Sequence, residues 1–228
     1  MNKTDCISVR LRHLVSTADG GKVLDVDAEF KRGAIISIAG YKNSGKSELL
    51  KMIAGICAPQ EGVLQAFGEV WFDSVNNINV RADKRGISYM FQDLALFDNM
   101  SIKDNLTFAQ KKKDEARVEA LLELFGLGDL AACKTAKVMG ALRRRIALAR
   151  ALAQESRLLV LDDPMHGLDD DARAEMRGYI CKAHKFLGGT TIIGVENGHD
   201  AKDIADFTYK VENGSVVKSV GCGCSCKC

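Results

Sequence analysis

Gly40-Tyr41-Lys42-Asn43-Ser44-Gly45-Lys46-Ser47 is the stretch that decides how this chain folds. It fits G-x-x-x-x-G-K-[ST], a loop whose successive backbone N–H groups wrap around phosphate. The apolar run Ala34-Ile35-Ile36-Ser37-Ile38-Ala39 before it reads as a buried strand, and residues 48–54 after it read as a helix. Strand, loop and helix in that order aim a helix N-terminus and the loop amides at one anion. Lys46 is then placed to reach the outer phosphates, and the Ser47 hydroxyl to hold Mg²⁺. The competing reading is a glycine-containing turn that matches by chance; the flanking strand and helix weigh against it.

The rest of the chain alternates in the way such a unit requires. Ile7, Val9 and Leu11 alternate with polar neighbours, as do residues 23–28, with a hairpin-turn signal at Asp19-Gly20-Gly21-Lys22. Residues 63–72 read as a strand pair and 86–91 as a buried strand. Over residues 94–154 the character becomes helical, at 102–108, 116–125 and 142–152, with Gly126 and Gly128 as stops. Strand character returns at 158–161, a helix follows over 170–186, a strand over 191–195, and a hairpin over 207–218 turning at Asn213-Gly214. Strands alternating with helices around a phosphate loop predict an α/β protein with a mostly parallel sheet. The expected division is a core of residues 1–93 and 158–218, an inserted helical subdomain at 94–157, and a cysteine-rich tail at 219–228.

Composition narrows the class. With 228 residues, 46% hydrophobic and 27% charged, the chain is an ordinary globular protein. Its 32 basic and 30 acidic residues leave a net charge of +2, which gives no reason to expect nucleic acid as a partner. The basic run Arg143-Arg144-Arg145 with Arg150 is read accordingly as a solvated helix face. No apolar run approaches the roughly 18 residues of a spanning helix. No signal region follows Met1-Asn2-Lys3-Thr4-Asp5. The expectation is a cytoplasmic protein that meets a membrane only through a partner.

A second motif completes the first. Arg157-Leu158-Leu159-Val160-Leu161-Asp162-Asp163-Pro164 is an apolar strand ending in two carboxylates. An Asp at such a strand end, beside a phosphate loop, holds Mg²⁺ directly or through water, a role that falls to Asp162. Asp163 is placed to orient or deprotonate an attacking water. The alternative is a charged strand end in which Asp163 caps the turn at Pro164.

With both motifs in place, the chain resembles the ATPase subunit of ABC transporters from about residue 7 to residue 217. The resemblance implies an ABC-type P-loop fold with an N-terminal antiparallel β subdomain, ATP and Mg²⁺ as ligands, and a separate integral-membrane permease as partner. It also implies head-to-tail homo- or heterodimers of ATPase subunits, peripheral at the inner face of the membrane. Phe91-Gln92-Asp93 looks like the Q-loop, with Gln92 contacting Mg²⁺ and coupling to the permease. Val138-Met139-Gly140-Ala141-Leu142 stands where the family has LSGGQ, and His166-Gly167-Leu168-Asp169 looks like the D-loop. Trp71-Phe72-Asp73-Ser74 and residues 83–97 look most like the molybdate-import branch, so the expected cargo is molybdate or a related oxyanion. Importers of that branch often carry a C-terminal regulatory domain, which is not expected within these 228 residues.

Four departures from the family pattern bear on mechanism. Met139 replaces the signature serine and cannot donate to phosphate, and Ala141 replaces a glycine, so Gly140 and the helix N-terminus remain to address it. Asp163 replaces a glutamate and is shorter by one methylene, and a misplacement of about 1 Å costs roughly 100-fold in rate. Glu196 stands at the position of the switch histidine, with His199 three residues on as a substitute if the loop rearranges. The aromatic that stacks on adenine is missing before the first hairpin, leaving His13 or Val15. Slow hydrolysis is the expected result.

Cys222, Cys224, Cys226 and Cys228 alternate with small residues in a tail outside the resemblance. Thiolates at this spacing are candidate ligands for a soft metal; a redox-active end with no specific ligand is the alternative. Three functions therefore compete: an ATP-driven import subunit, a nucleotide-binding regulatory module with little hydrolysis, and a thiol-metal binder on an ATPase scaffold.

Overall fold

Alternate residues of one buried strand face two different cores. In β3 (Ile35–Ala39), Ile35 and Ala39 join a cluster with the helices of the second half of the chain, while Ile36 and Ile38 join one with the first helix and the N-terminal strands. A strand covered on both faces needs apolar residues on both, which is why it reads as a continuous run. β8 (Leu158–Asp162) repeats the pattern: Leu159 and Leu161 face one cluster, Leu158 and Val160 the other.

The computed structural model of the chain describes residues 6–17, 20–212 and 214–219. The turn expected at Asp19 and the Asn213 half of the later turn lie outside these residues, as does the tail with Cys222, Cys224, Cys226 and Cys228.

In chain order, β1 (Cys6–Thr17) and β2 (Gly20–Lys31) pair antiparallel, and β3 runs into the phosphate loop and α1 (Lys46–Ala54). β4 (Glu61–Ala66), β5 (Glu69–Asp73) and β6 (Ile78–Asn79) form a meander on β1. β7 (Ile87–Met90) leads to the helices α2 (Ile102–Ala109), α3 (Glu115–Leu124) and α4 (Ala141–Ala153). Then come β8, α5 (Asp170–Leu187), β9 (Thr190–Val195) and the pair β10 (Phe207–Glu212) and β11 (Ser215–Ser219).

All described strands belong to a single sheet of order β6-β5-β4-β1-β2-β11-β10-β3-β9-β8-β7. The half from β10 to β7 is parallel and the half from β6 to β2 antiparallel. They meet where β11 touches β2 at Ser215 and Asp25, helped by the Asp25 N–H on the Gly214 carbonyl at 2.6 Å. Sequence reading finds the strands but not this join.

Helix starts fall into two kinds. α2, α3 and α5 are capped by side chains: Ser101 accepts from the Asp104 amide, Asp114 from Arg117 and Asp169 from Ala172. Such caps contribute about 1 kcal/mol each. α1 and α4 begin instead at Gly45 and Gly140, with no side-chain cap. These are the two helices expected to meet phosphate.

The far end of α1 is closed by a buried cation. Arg85 is fully buried, and its Nη1 donates to the Met52 and Ile53 carbonyls at 2.8 Å each. Its Nε donates to the Val80 carbonyl at 2.8 Å, and the guanidinium lies 5.6 Å from the Trp71 ring centre. Burial pulls its pKa down to about 10.

The four arginines of α4 are not a solvated face. Arg143 bonds Asp98 and the Thr135 carbonyl, Arg145 bonds Glu175 and Tyr179, Arg150 reaches the Leu94 carbonyl, and Arg144 reaches the Asp163 carbonyl. They hold α4 to its surroundings, so their charge is largely used within the fold. Among the described residues, no helix is long and apolar enough to cross a membrane.

Candidate nucleotide site

The parallel strands β3, β8 and β9 end side by side, and their C-terminal ends bring the predicted residues together. A cavity of about 310 Å³ opens there, lined by residues 41–48, Lys51, Gln92, Asp163, His166, Glu196 and Val15. Gly40 lies beneath it: a Cβ there would come 2.5 Å from Ser44 Oγ, so a side chain at this position would push the Ser44 hydroxyl out of its place in the loop. Gly45 has φ 94°, in the left-handed region that favours glycine. This conformation starts α1 with its first amides uncapped and unpaired within the helix.

Lys46 is 7% exposed, with Nζ 3.5 Å from the Gly40 carbonyl and 3.8 Å from Asp163 Oδ2. Ser47 Oγ donates to Asp162 Oδ1 at 2.9 Å, and the Tyr89 hydroxyl donates to Asp162 Oδ2 at 3.1 Å. Burial and Asp162 together push the Tyr89 phenol far above its ordinary pKa, so it stays a donor.

Asp163 follows in a left-handed conformation, φ 51°, with its N–H on the Gly194 carbonyl at 3.0 Å. This turn swings its carboxylate into the cavity, next to Lys46. Burial raises its pKa, opposed by Lys46 and His166 and reinforced by Asp162 and Glu196. His166 Nδ1 lies 3.7 Å from Asp163 Oδ2. One ligand atom from each of Asp163, His166 and Glu196 lies within 4.8 Å of the others.

The residues present fit the ligands that the sequence implies. Ser44 Oγ is buried without a partner inside the loop, a donor waiting for an acceptor. Ser47 and Asp162 offer adjacent hard oxygens, the donor type Mg²⁺ takes. Lys42, Lys46 and Lys51 line the cavity that would receive the phosphates.

Of the predicted residues, 41–47, Gln92, Asp163 and Glu196 line the cavity, with Gly40 and Asp162 directly behind them. Gly140 does not line it; it is exposed at the start of α4, beside Met139, which is 83% exposed. Of the two residues considered for adenine, Val15 reaches the cavity and His13 does not. His199 lies in a one-turn 3-10 helix after β9 and does not line the cavity. The histidine that does is His166. In the sequence His166 is one residue of a loop motif with no assigned role, and nothing there marks Tyr89 as the second partner of Asp162. An aromatic hydroxyl on β7 that binds a carboxylate on β8 follows from the parallel register of the two strands, and spacing alone gives no sign of it.

Comparison with known proteins agrees with this geometry. The sequence profile described as ABC transporter matches residues 23–166. The sulfate/thiosulfate import ATP-binding protein CysA 2 of Agrobacterium fabrum is 33% identical over 224 residues, 93% of this chain and 63% of that protein. The protein of the corresponding name from Mesostigma viride is 36% identical over 197 residues, 84% of this chain and 55% of its own length. The chain thus spans between about half and two thirds of these two relatives. A probable sulfate/thiosulfate import ATP-binding protein of Chlorella vulgaris is 29% identical and is covered over 90% of its length. Among solved structures, the dimeric ATP-binding cassette MJ0796 in a post-hydrolysis state with ADP and Pi superposes with a TM-score of 0.76. At 20% identity, over 92% of this chain and 96% of that one, it speaks for the fold. Profile, relatives and site geometry lead to one conclusion: the chain belongs to the ABC transporter family.

Proposed function

We propose that this chain is the ATP-binding subunit of an oxyanion importer, binding Mg·ATP as a head-to-tail dimer docked on a separate membrane permease. The observation that carries the reading is the Ser47–Asp162 hydrogen bond at 2.9 Å beside a buried Lys46, which brings the two motifs into one site. The proposed location is the cytoplasmic face of the membrane, reached through the permease.

In this reading the loop amides and Lys46 hold the phosphates, and Ser44 Oγ finds its missing acceptor there. Ser47, Asp162 and Gln92 would hold Mg²⁺, which would supply positive charge to offset that of the phosphates. Tyr89 fixes the Asp162 carboxylate from behind. Asp163 serves the attacking water, directly or through a neighbouring side chain. Gly140 and the uncapped start of α4 face outward, where they would meet the phosphates held by the other subunit. Val15 packs near the base, and an aliphatic contact there recognises adenine less selectively than a stacked ring would.

The relatives are named for sulfate and thiosulfate import, whereas the sequence motifs look most like the molybdate branch. Sulfate and molybdate are both tetrahedral dianions, and the cargo proposed here is an anion of that class. The exposed Met139 favours a second reading, a regulatory module that closes on ATP with little hydrolysis. Steady-state ATP hydrolysis by the chain and its Lys46→Ala variant, with and without a candidate permease, separates the two. Turnover that Lys46→Ala abolishes supports the import subunit. ATP binding without turnover under either condition refutes it in favour of the regulatory module.

A further inference from the structure

The cavity lining is balanced in charge. Lys42, Lys46 and Lys51 face Glu48, Asp163 and Glu196, and the side chain that stands apart is the imidazole of His166. Its neighbour Asp163 is poorly placed to meet a water molecule by itself. The Asp163 side chain is 9% exposed and lies 3.8 Å from the Lys46 ammonium, whereas the His166 side chain is 53% exposed.

A carboxylate facing one ring nitrogen selects the tautomer with its proton on that side. Asp163 Oδ2 lies 3.7 Å from Nδ1, so Nδ1 is the nitrogen turned to the carboxylate and Nε2 is the one left for a water molecule. The distance is longer than a hydrogen bond, and such contacts commonly tighten only when substrate is bound. Glu196 is the third member of the cluster, with one ligand atom from each of the three side chains within 4.8 Å of the others.

We propose that His166 is the general base for nucleotide hydrolysis in this site, oriented by Asp163 and supported by Glu196. The inference rests on the reading of the chain as an ATPase. Nε2 takes one proton from water as the water oxygen bonds to the terminal phosphorus. The bond from that phosphorus to the bridging oxygen breaks, and its electron pair leaves with ADP. The products are ADP and inorganic phosphate, and the imidazolium returns its proton to solvent. One side chain close to both Asp163 and Glu196 thereby makes good the carboxylate shortened at the first and the imidazole lacking at the second.

The test compares the full-length chain with Lys46→Ala, His166→Ala and His199→Ala, measuring Mg·ATP turnover and the affinity for a fluorescent ATP analogue. His166→Ala is expected to lower kcat by about 10²–10⁴-fold, the range for loss of a general base, with analogue affinity essentially unchanged. His199→Ala, outside the cavity, keeps wild-type turnover. Free imidazole added to His166→Ala restores part of the lost rate, which a merely structural role would not allow. Wild-type-like turnover in His166→Ala overturns the proposal alone, and so does a loss that imidazole fails to restore. Wild-type turnover no higher than that of Lys46→Ala overturns the ATPase reading and this proposal with it.

Discussion

Replacing Arg85 by methionine removes the cation that closes α1 while keeping most of the apolar bulk. Three carbonyl oxygens, on Met52, Ile53 and Val80, each accept from the guanidinium at 2.8 Å. The Met52 carbonyl keeps a second donor, the Gly55 amide at 3.1 Å. The Ile53 and Val80 carbonyls lose a strong bond in a fully buried setting, at about 1–3 kcal/mol each. Methionine fills most of the space, so the cavity term is small, and the expected loss is about 4 kcal/mol. Urea unfolding followed by Trp71, the chain's single tryptophan and itself fully buried, reads this directly. At roughly 2–3 kcal/mol per molar urea, the midpoint should fall by about 1.5 M. Arg85→Lys should recover only part of the shift, since one ammonium cannot reach three diverging carbonyls with a guanidinium's fork geometry. A midpoint within about 0.3 M of wild type for Arg85→Met would show that the end of α1 is held by other means, and the reasoning would fail.

Two further outcomes follow from other contacts. Tyr89→Phe removes the donor to Asp162 Oδ2 and is expected to weaken Mg²⁺ dependence of ATP turnover about tenfold, as losses behind a metal ligand do; an unchanged Mg²⁺ titration would detach Tyr89 from the site. His184 is half-buried against Thr191, and burial lowers its pKa. Below about pH 6.5 the unfolded chain therefore binds a proton more readily than the folded one, so this group makes stability fall as pH falls from 7 to 5. His184→Gln should flatten that slope in urea titrations at the two pH values, and an equal slope in wild type and variant would contradict it.

How much the sequence reveals depends on how local the cause is. The phosphate loop is legible because its amides, its glycines and its helix are neighbours in the chain. β3, β8 and β9 are legible because burial on both faces leaves a continuous apolar run. The closeness of Ser47 and Asp162 is expected because one sits in the first turn of the helix after the phosphate loop and the other at a strand end beside that loop. Arg85 was not legible: arginine is ordinarily a surface residue, and its burial depends on three carbonyls from separate segments. His166 escaped for a related reason. It enters the cavity through the left-handed turn at Asp163, and a non-glycine residue gives no advance sign of that conformation. The two halves of the sheet share a single ladder pair, Ser215 with Asp25, too little to leave a pattern in the sequence.

The order of the sheet also has a consequence in time. β3 lies between β9 and β10, and the Gly33 amide meets the Thr190 hydroxyl across 157 residues of sequence. On a ribosome adding roughly 5–20 residues per second, β3 therefore waits about 8–30 s for its first neighbour to be made. During that interval five consecutive residues that end up buried, Ile35 to Ala39, present two open edges to the cell. The strand that carries the phosphate loop is among the earliest parts of the sheet to be synthesised and among the last to be paired. Nascent chains of this protein should accordingly depend on a holding chaperone until β9 emerges.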